Sequence, residues 1–162
     1  MSIKIKNLSF CLSFILFLSA GRSDAGLEEK TIGVGIIAGY PTGVSIKTWS
    51  TPAGAIDFSL GWSKSGVNNF TGQIAFLRHT FDFFEVESGK LPYYTGIGTR
   101  FLVRDPDNAS QETRIGLRLI GGLDYIFEKT PTELFFEIGP VLELVPDTEL
   151  DITAGLGARY YF

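Results

Sequence analysis

One cysteine, one histidine, one methionine and two tryptophans occur in 162 residues, and each scarcity excludes something. The cysteine, Cys11, sits inside an apolar run from Leu8 to Leu18 rather than at its end, a poor position for lipid attachment. Lys4 and Lys6 precede that run, and Ser19, Ala20, Gly21, Ser23 and Ala25 follow it. A short basic region, an uncharged apolar stretch and then small residues make a secretory signal peptide, with cleavage expected after Ala25 or, second, after Ala20. The run is too short for a membrane-spanning helix, which takes roughly twenty residues. Processing removes Cys11, so disulfide and thiol chemistry have no place in the mature chain.

No comparable apolar run recurs beyond residue 25, which excludes a helical membrane protein. Loss of residues 1–25 takes three of 14 basic and one of 18 acidic residues and leaves a net charge of −6. With no basic cluster, nucleic acid is a poor partner. No Pro/Ser-rich linker or second block of composition appears, so the expected organisation is a signal peptide, 1–25, and one domain, 26–162.

Catalytic signatures are equally sparse. A Ser–His–acid hydrolase would have to use His79, which the alternation places on an apolar face with Phe81 two residues on. One histidine and no mature cysteine are too few for a metal centre. Gly33-Val34-Gly35 precedes no helical pattern and is no nucleotide loop. Asp105 and Asp107 read as a solvated loop. No cofactor, metal or enzymatic activity is expected.

Glycine (19), phenylalanine (14) and tyrosine (6) are plentiful, and they are arranged in alternation. From Glu149 to Phe162, Leu150, Ile152, Ala154, Leu156, Ala158, Tyr160 and Phe162 share one face. Glu149, Asp151, Thr153, Gly155, Gly157, Arg159 and Tyr161 share the other. Side chains of a strand alternate in direction, so this is a strand with one apolar and one charged, glycine-rich side. Its length suits a tilted strand crossing a bilayer better than an average soluble strand.

Seven further alternating segments precede it: about 31–40, 44–49, 55–62, 70–84, 91–103, 113–127 and 133–144. Turn signals separate them, among them Pro41-Thr42-Gly43, Thr51-Pro52-Ala53-Gly54 and Ser88-Gly89. The fourth segment is the least regular: Gln73 interrupts its apolar face, which suggests a bulge near Ala75. With both termini on one side, the two longest connections, 63–69 and 104–112, both fall at the opposite end. The expected fold is all-β: an eight-stranded antiparallel up-and-down transmembrane β-barrel.

A soluble barrel would turn its apolar face inward, whereas a membrane barrel turns it to lipid and keeps a polar interior. Aromatics near segment ends, at Tyr40, Trp49, Trp62, Tyr93, Tyr125, Tyr160 and Phe162, suit an interfacial girdle. The other face carries Lys47, Arg78, Arg100, Arg114, Arg118 and Arg159 against Asp57, Asp82, Asp124, Glu137, Glu143 and Asp151. Eight strands leave an interior just wide enough for side chains to fill, so such charges should neutralise one another in ion pairs.

Gly-x-Arg recurs at Gly98–Arg100, Gly116–Arg118 and Gly157–Arg159, with both residues on one face. Glycine there would leave space for a guanidinium along the wall, and arginine suits bidentate pairing with carboxylates. The expected lumenal network is Arg100, Arg114, Arg118 and Arg159 with Glu137, Glu143 and Asp151.

On these features, together with the stretches GVGIIAGYPTGVSIKTW and GLGARYYF, residues 30–162 resemble small outer-membrane β-barrels of the OmpA transmembrane-domain and OmpX type. They also resemble a group of small uncharacterised outer-membrane barrel proteins. The resemblance implies a Gram-negative outer membrane, contact with its lipid, and recognition of Tyr160 and Phe162 by the outer-membrane assembly machinery. The implied function is structural or surface-interacting, with the surface partner unspecified, and fold alone does not choose among such roles. The alternatives left open are a lipid A acylase- or deacylase-like enzyme, then a narrow pore, then a soluble lipocalin-like ligand-binding barrel.

Overall fold

The computed structural model describes residues 31–63, 68–81, 83–105 and 112–162. Cys11 and both expected cleavage points lie outside the described residues, as do Asp82 and Asp107. Eight strands follow in order: β1 (Ile32–Gly39), β2 (Gly43–Trp49), β3 (Gly54–Ser63), β4 (Asn68–Thr80), β5 (Tyr93–Asp105), β6 (Glu112–Ile126), β7 (Thr132–Val145) and β8 (Glu149–Tyr161). Each pairs antiparallel with the next, and β8 pairs with β1, Gly35 facing Arg159, to close the barrel. Closure removes the unpaired edges that an open sheet would leave.

The two faces divide as the alternation requires. Ile36, Phe76, Ile97, Leu119, Leu150, Ile152 and Leu156 are among the large apolar side chains exposed on the outer wall. Ser45, Lys47, Asp57, Gln73, Arg100, Arg118, Asp124, Glu133, Glu137, Glu143, Thr153 and Arg159 are buried inside. This reverses the usual order of a soluble barrel.

β4 departs from the sequence expectation in three ways. It ends at Thr80 rather than at Phe84. It has no bulge at Ala75, because its ladders to β3 and β5 run unbroken from Asn69 to Arg78. Its phase is reversed in the second half, with Leu77 and His79 buried inside and Arg78 exposed outside. Residues directly opposite in a ladder share a face, and Ala55 and Asp57 of β3 point inward opposite Leu77 and Ala75. Gln73, an interruption by hydropathy, is in phase.

The irregularity lies between β6 and β7, where the register shifts between Ile115 and Gly116 and Leu144 is left without an opposite number. The same ladder has a gap opposite Gly139 and Pro140, where proline has no N–H to offer.

Connections also differ from expectation. β3 and β4 are long enough to reduce the link between them to 64–67, and β5 and β6 reduce theirs to 106–111. The longest connection is 81–92, between β4 and β5, at the end where β1 begins and β8 ends, the terminal end of the barrel.

Candidate functional site: the charged lumen

The inward side chains form a chain of ion pairs from the terminal end of the barrel to the other. Nearest the termini, Lys47 on β2 donates to Asp124 Oδ2 at 2.5 Å and to Glu133 Oε2 at 2.9 Å, and all three side chains are fully buried. The Tyr161 hydroxyl donates to Glu133 Oε2 at 2.7 Å. Arg159 on β8 donates to Glu133 Oε1 at 2.6 Å, to Asp57 Oδ2 at 2.5 Å and to Ser45 Oγ at 2.9 Å. Glu133 therefore accepts from Lys47, Tyr161 and Arg159 together. The Arg159 guanidinium also stacks on Phe135, 3.6 Å from the ring centre.

Farther along, Arg118 on β6 donates to Glu137 at 2.7 Å and to Thr153 Oγ1 at 3.1 Å. Arg100 on β5 follows, donating through Nη2 to Glu143 and, at 2.8 Å, to Asp151. At the far rim Arg114 donates to Glu112 at 2.7 Å and to Glu149 at 2.8 Å, with all three side chains partly exposed. Between the β1–β2 turn and the ends of β3 and β4, a cavity of about 370 Å³ is lined by Tyr40, Thr42, Trp62, Asn69 and Thr71, among others.

All seven residues of the expected network point inward, and the structure pairs Arg118 with Glu137 and Arg100 with Glu143 and Asp151. Arg159 pairs instead with Glu133, directly opposite it in the β7–β8 ladder, and across the lumen with Asp57 on β3. Arg114 belongs to the rim. Lys47, Asp57 and Asp124, already on the expected charged face, complete the cluster with Glu133, which its inward phase on β7 would have found. Arg78, grouped with the inward charges by sequence, is on the outer wall.

The glycines of Gly-x-Arg make room for something other than arginine. At Gly157 the space a side chain would fill is held by the Phe135 ring, at Gly116 by Val141 and at Gly98 by Ala75. Arginine reaches its carboxylates past these neighbours.

His79 and Trp49 are corrections. His79 is neither lipid-facing nor interfacial: it is 3 % exposed in the lumen, with Nε2 2.9 Å from Asp124 Oδ2. An ionised carboxylate only accepts, so the shared proton belongs to Nε2. Trp49, expected in the girdle, instead lies 4.4 Å from the His79 ring, centre to centre, with Lys47 Nζ 4.5 Å above its own ring. Trp49 packs against a lumenal apolar cluster of Ala55, Ala75, Leu77, Tyr94 and Ile120. This cluster is why hydropathy assigns the second half of β4 the opposite phase. Among the described residues, no serine or threonine hydroxyl is hydrogen-bonded to His79, and no three histidine, cysteine or acidic side chains group as metal ligands. Tyr160 and Phe162 lie outside, their rings edge to face at 5.1 Å.

No family model matches the chain, and no curated protein does. Among solved structures, the N-terminal β-barrel domain of OprF from Pseudomonas aeruginosa superposes with a TM-score of 0.65 at 16 % identity. The match covers 82 % of this chain and 98 % of that one. At that identity the likeness is one of architecture, and the chain has the closed eight-stranded fold of the OprF barrel domain.

Proposed function

We propose that this chain is a small outer-membrane β-barrel protein, of the OmpA transmembrane-domain and OmpX type, with a structural or surface-interaction role and no enzymatic activity. The observation that carries the reading is the inversion of polarity: hydrocarbon and aromatic side chains cover the outer wall, while ion pairs fill the interior and its rim. A wall of this kind is stable against acyl chains and would aggregate in water. Tyr93, Tyr125, Phe127, Tyr160 and Phe162 at the terminal end and Trp62 at the other fit the two interfaces. The likeness to the OprF barrel domain supports the same location.

In this reading the exported chain meets the assembly machinery through β8, with Tyr160 and Phe162 outward, and then stands in lipid. A lumen packed with ion pairs favours a plug over a steady pore. His79 committed to Asp124, with aromatic rings around it, favours a structural histidine over a catalytic one.

Fractionation of expressing cells, followed by electrophoresis with and without boiling, tests the proposal. Recovery in the outer membrane with heat-modifiable migration is the expected outcome. Recovery in the soluble periplasm would refute it.

A further inference from the structure

The outward positions of the eight strands carry hydrocarbon, aromatic rings, glycine, proline and threonine, with one exception. Arg78 on β4 is the only charged side chain on the outer wall among the residues whose side chains are described. Thr95 faces it directly across the β4–β5 ladder, and Thr80 follows two residues along the same face. All three are exposed, and among the described residues no carboxylate pairs with Arg78.

Its depth is informative. Arg78 stands two residues from the end of β4, about 7 Å of strand from the terminal-side rim. Immediately beyond it, Tyr93 pairs with Thr80. Phe83 lies 5.4 Å from Tyr93 and 4.8 Å from Phe84 between ring centres. Phe83 is 66 % exposed. Aromatic rings of this kind mark the boundary between headgroups and acyl chains. A long cationic side chain on a lipid-facing wall is costly at mid-bilayer and tolerated at that boundary, where it reaches polar headgroups.

We propose that Arg78, with the hydroxyls of Thr80 and Thr95, binds the phosphodiester of a glycerophospholipid in the leaflet on the terminal side of the barrel. The guanidinium offers a planar fork of donors matched to phosphate oxygens, and the two threonines add hydroxyl donors on the same face. Phe76, two residues back on the same face, would meet the acyl chains. The inference rests on the membrane reading above. The competing partners for Arg78 are Glu85 and Glu87 of the connection 81–92, which would hold it without lipid.

The test uses refolded protein in dodecylmaltoside micelles, titrated with dioleoylphosphatidylglycerol or with dioleoylglycerol, which lacks the phosphodiester. Bound lipid is counted by native mass spectrometry. One phosphatidylglycerol should be retained in preference to dioleoylglycerol, and Arg78→Gln should weaken it by about tenfold, the worth of a charge-assisted hydrogen-bonded pair. Arg78→Lys keeps the charge but loses the fork, so its loss should be smaller. Equal retention of the two lipids by the wild type overturns the proposal, as does unchanged affinity in a folded Arg78→Gln. Should Arg78→Gln not fold, a Thr80→Val/Thr95→Val variant serves in its place: weaker retention supports the site and unchanged retention overturns it. Wild-type protein that never acquires heat-modifiable migration in micelles refutes the membrane reading itself, and this site with it.

Discussion

Replacing Lys47 by methionine removes one charge from the most enclosed part of the lumen while keeping most of the side-chain bulk. Lys47 and Arg159 face three carboxylates there, Asp57, Asp124 and Glu133, so the cluster carries one excess negative charge before His79 is counted. The substitution raises the excess to two. Glu133 keeps Arg159 and Tyr161 as donors, whereas Asp124 Oδ2 keeps only His79. The loss therefore falls mainly on Asp124, left buried and under-neutralised.

Removing one partner of a buried pair costs about 3–5 kcal/mol, because the remaining charge has no water to replace it. With a urea slope of about 2 kcal/mol/M, the unfolding midpoint in phosphatidylcholine bilayers should fall by about 1.5–2.5 M. The folded fraction is read from heat-modifiable migration, which avoids relying on the fluorescence of Trp49 beside the substitution. Lys90→Met, at an exposed position, should stay within about 0.5 kcal/mol of wild type. The double variant Lys47→Met/Asp124→Asn removes both members of the pair and returns the excess to one, so it should cost less than the sum of the two single changes. A Lys47→Met shift under about 0.4 M would show that the cluster is not held by this charge. Strict additivity in the double variant would show that the two side chains are not coupled.

Position along the lumen should grade the other pairs. Glu137→Ala strands Arg118, 1 % exposed, and should lower the melting temperature of the refolded barrel by several degrees, a loss of about 3 kcal/mol or more. Arg114→Gln, at the half-open rim, should cost under about 1 kcal/mol in the same assay. Equal effects would contradict the burial assigned to the two sites. Gly157→Val places a side chain in the Phe135 ring and against the Ile36 carbonyl, so it should destabilise by about 1–3 kcal/mol through overpacking. Gly121→Ala meets only the Ile138 carbonyl at 3.9 Å and should be close to neutral by comparison, both read from urea midpoints.

The strand count, the closure and the division of faces were legible because period-two alternation is imposed by the backbone and survives any choice of loop. The pairing inside the lumen was legible only in part. Nearness along the chain links Arg118 to Glu137 and Arg100 to Glu143. It does not reach Arg159 to Ser45, which are 114 residues apart in sequence, or Lys47 to Glu133, 86 apart. Arg159 reaches Ser45 over Gly35 of the intervening β1, and Lys47 reaches Glu133 from β2 to β7 across a lumen about two side chains wide. In so narrow a space every inward charge meets another whatever strand bears it. Glu133, the hub, needed only its inward phase to be counted.

β4 shows where alternation fails and why. Hydropathy turns its apolar residues outward, yet Leu77 is inward with Tyr94 and Ile120, because the terminal half of the lumen has an apolar cluster of its own. On β4, Thr71, Gln73 and His79 have one parity with Ala75 and Leu77 among them, and Arg78 and Thr80 have the other with Phe76. Phe70, Ile74 and Phe76 favour the observed phase, Leu77, Phe81 and Phe83 favour the other, and the ladder to β3, Gly54 opposite Arg78, carries the first through the strand. The decision moves the single histidine from the outer wall to the ion-pair cluster and moves Arg78 from the cluster to the outer wall. One shift of phase thus exchanges an outward histidine for a lumenal hydrogen bond, and a lumenal cation for the outward one proposed to hold a headgroup. The position at which the sequence pattern was weakest is therefore the one that separates the interior chemistry of this barrel from its exterior chemistry.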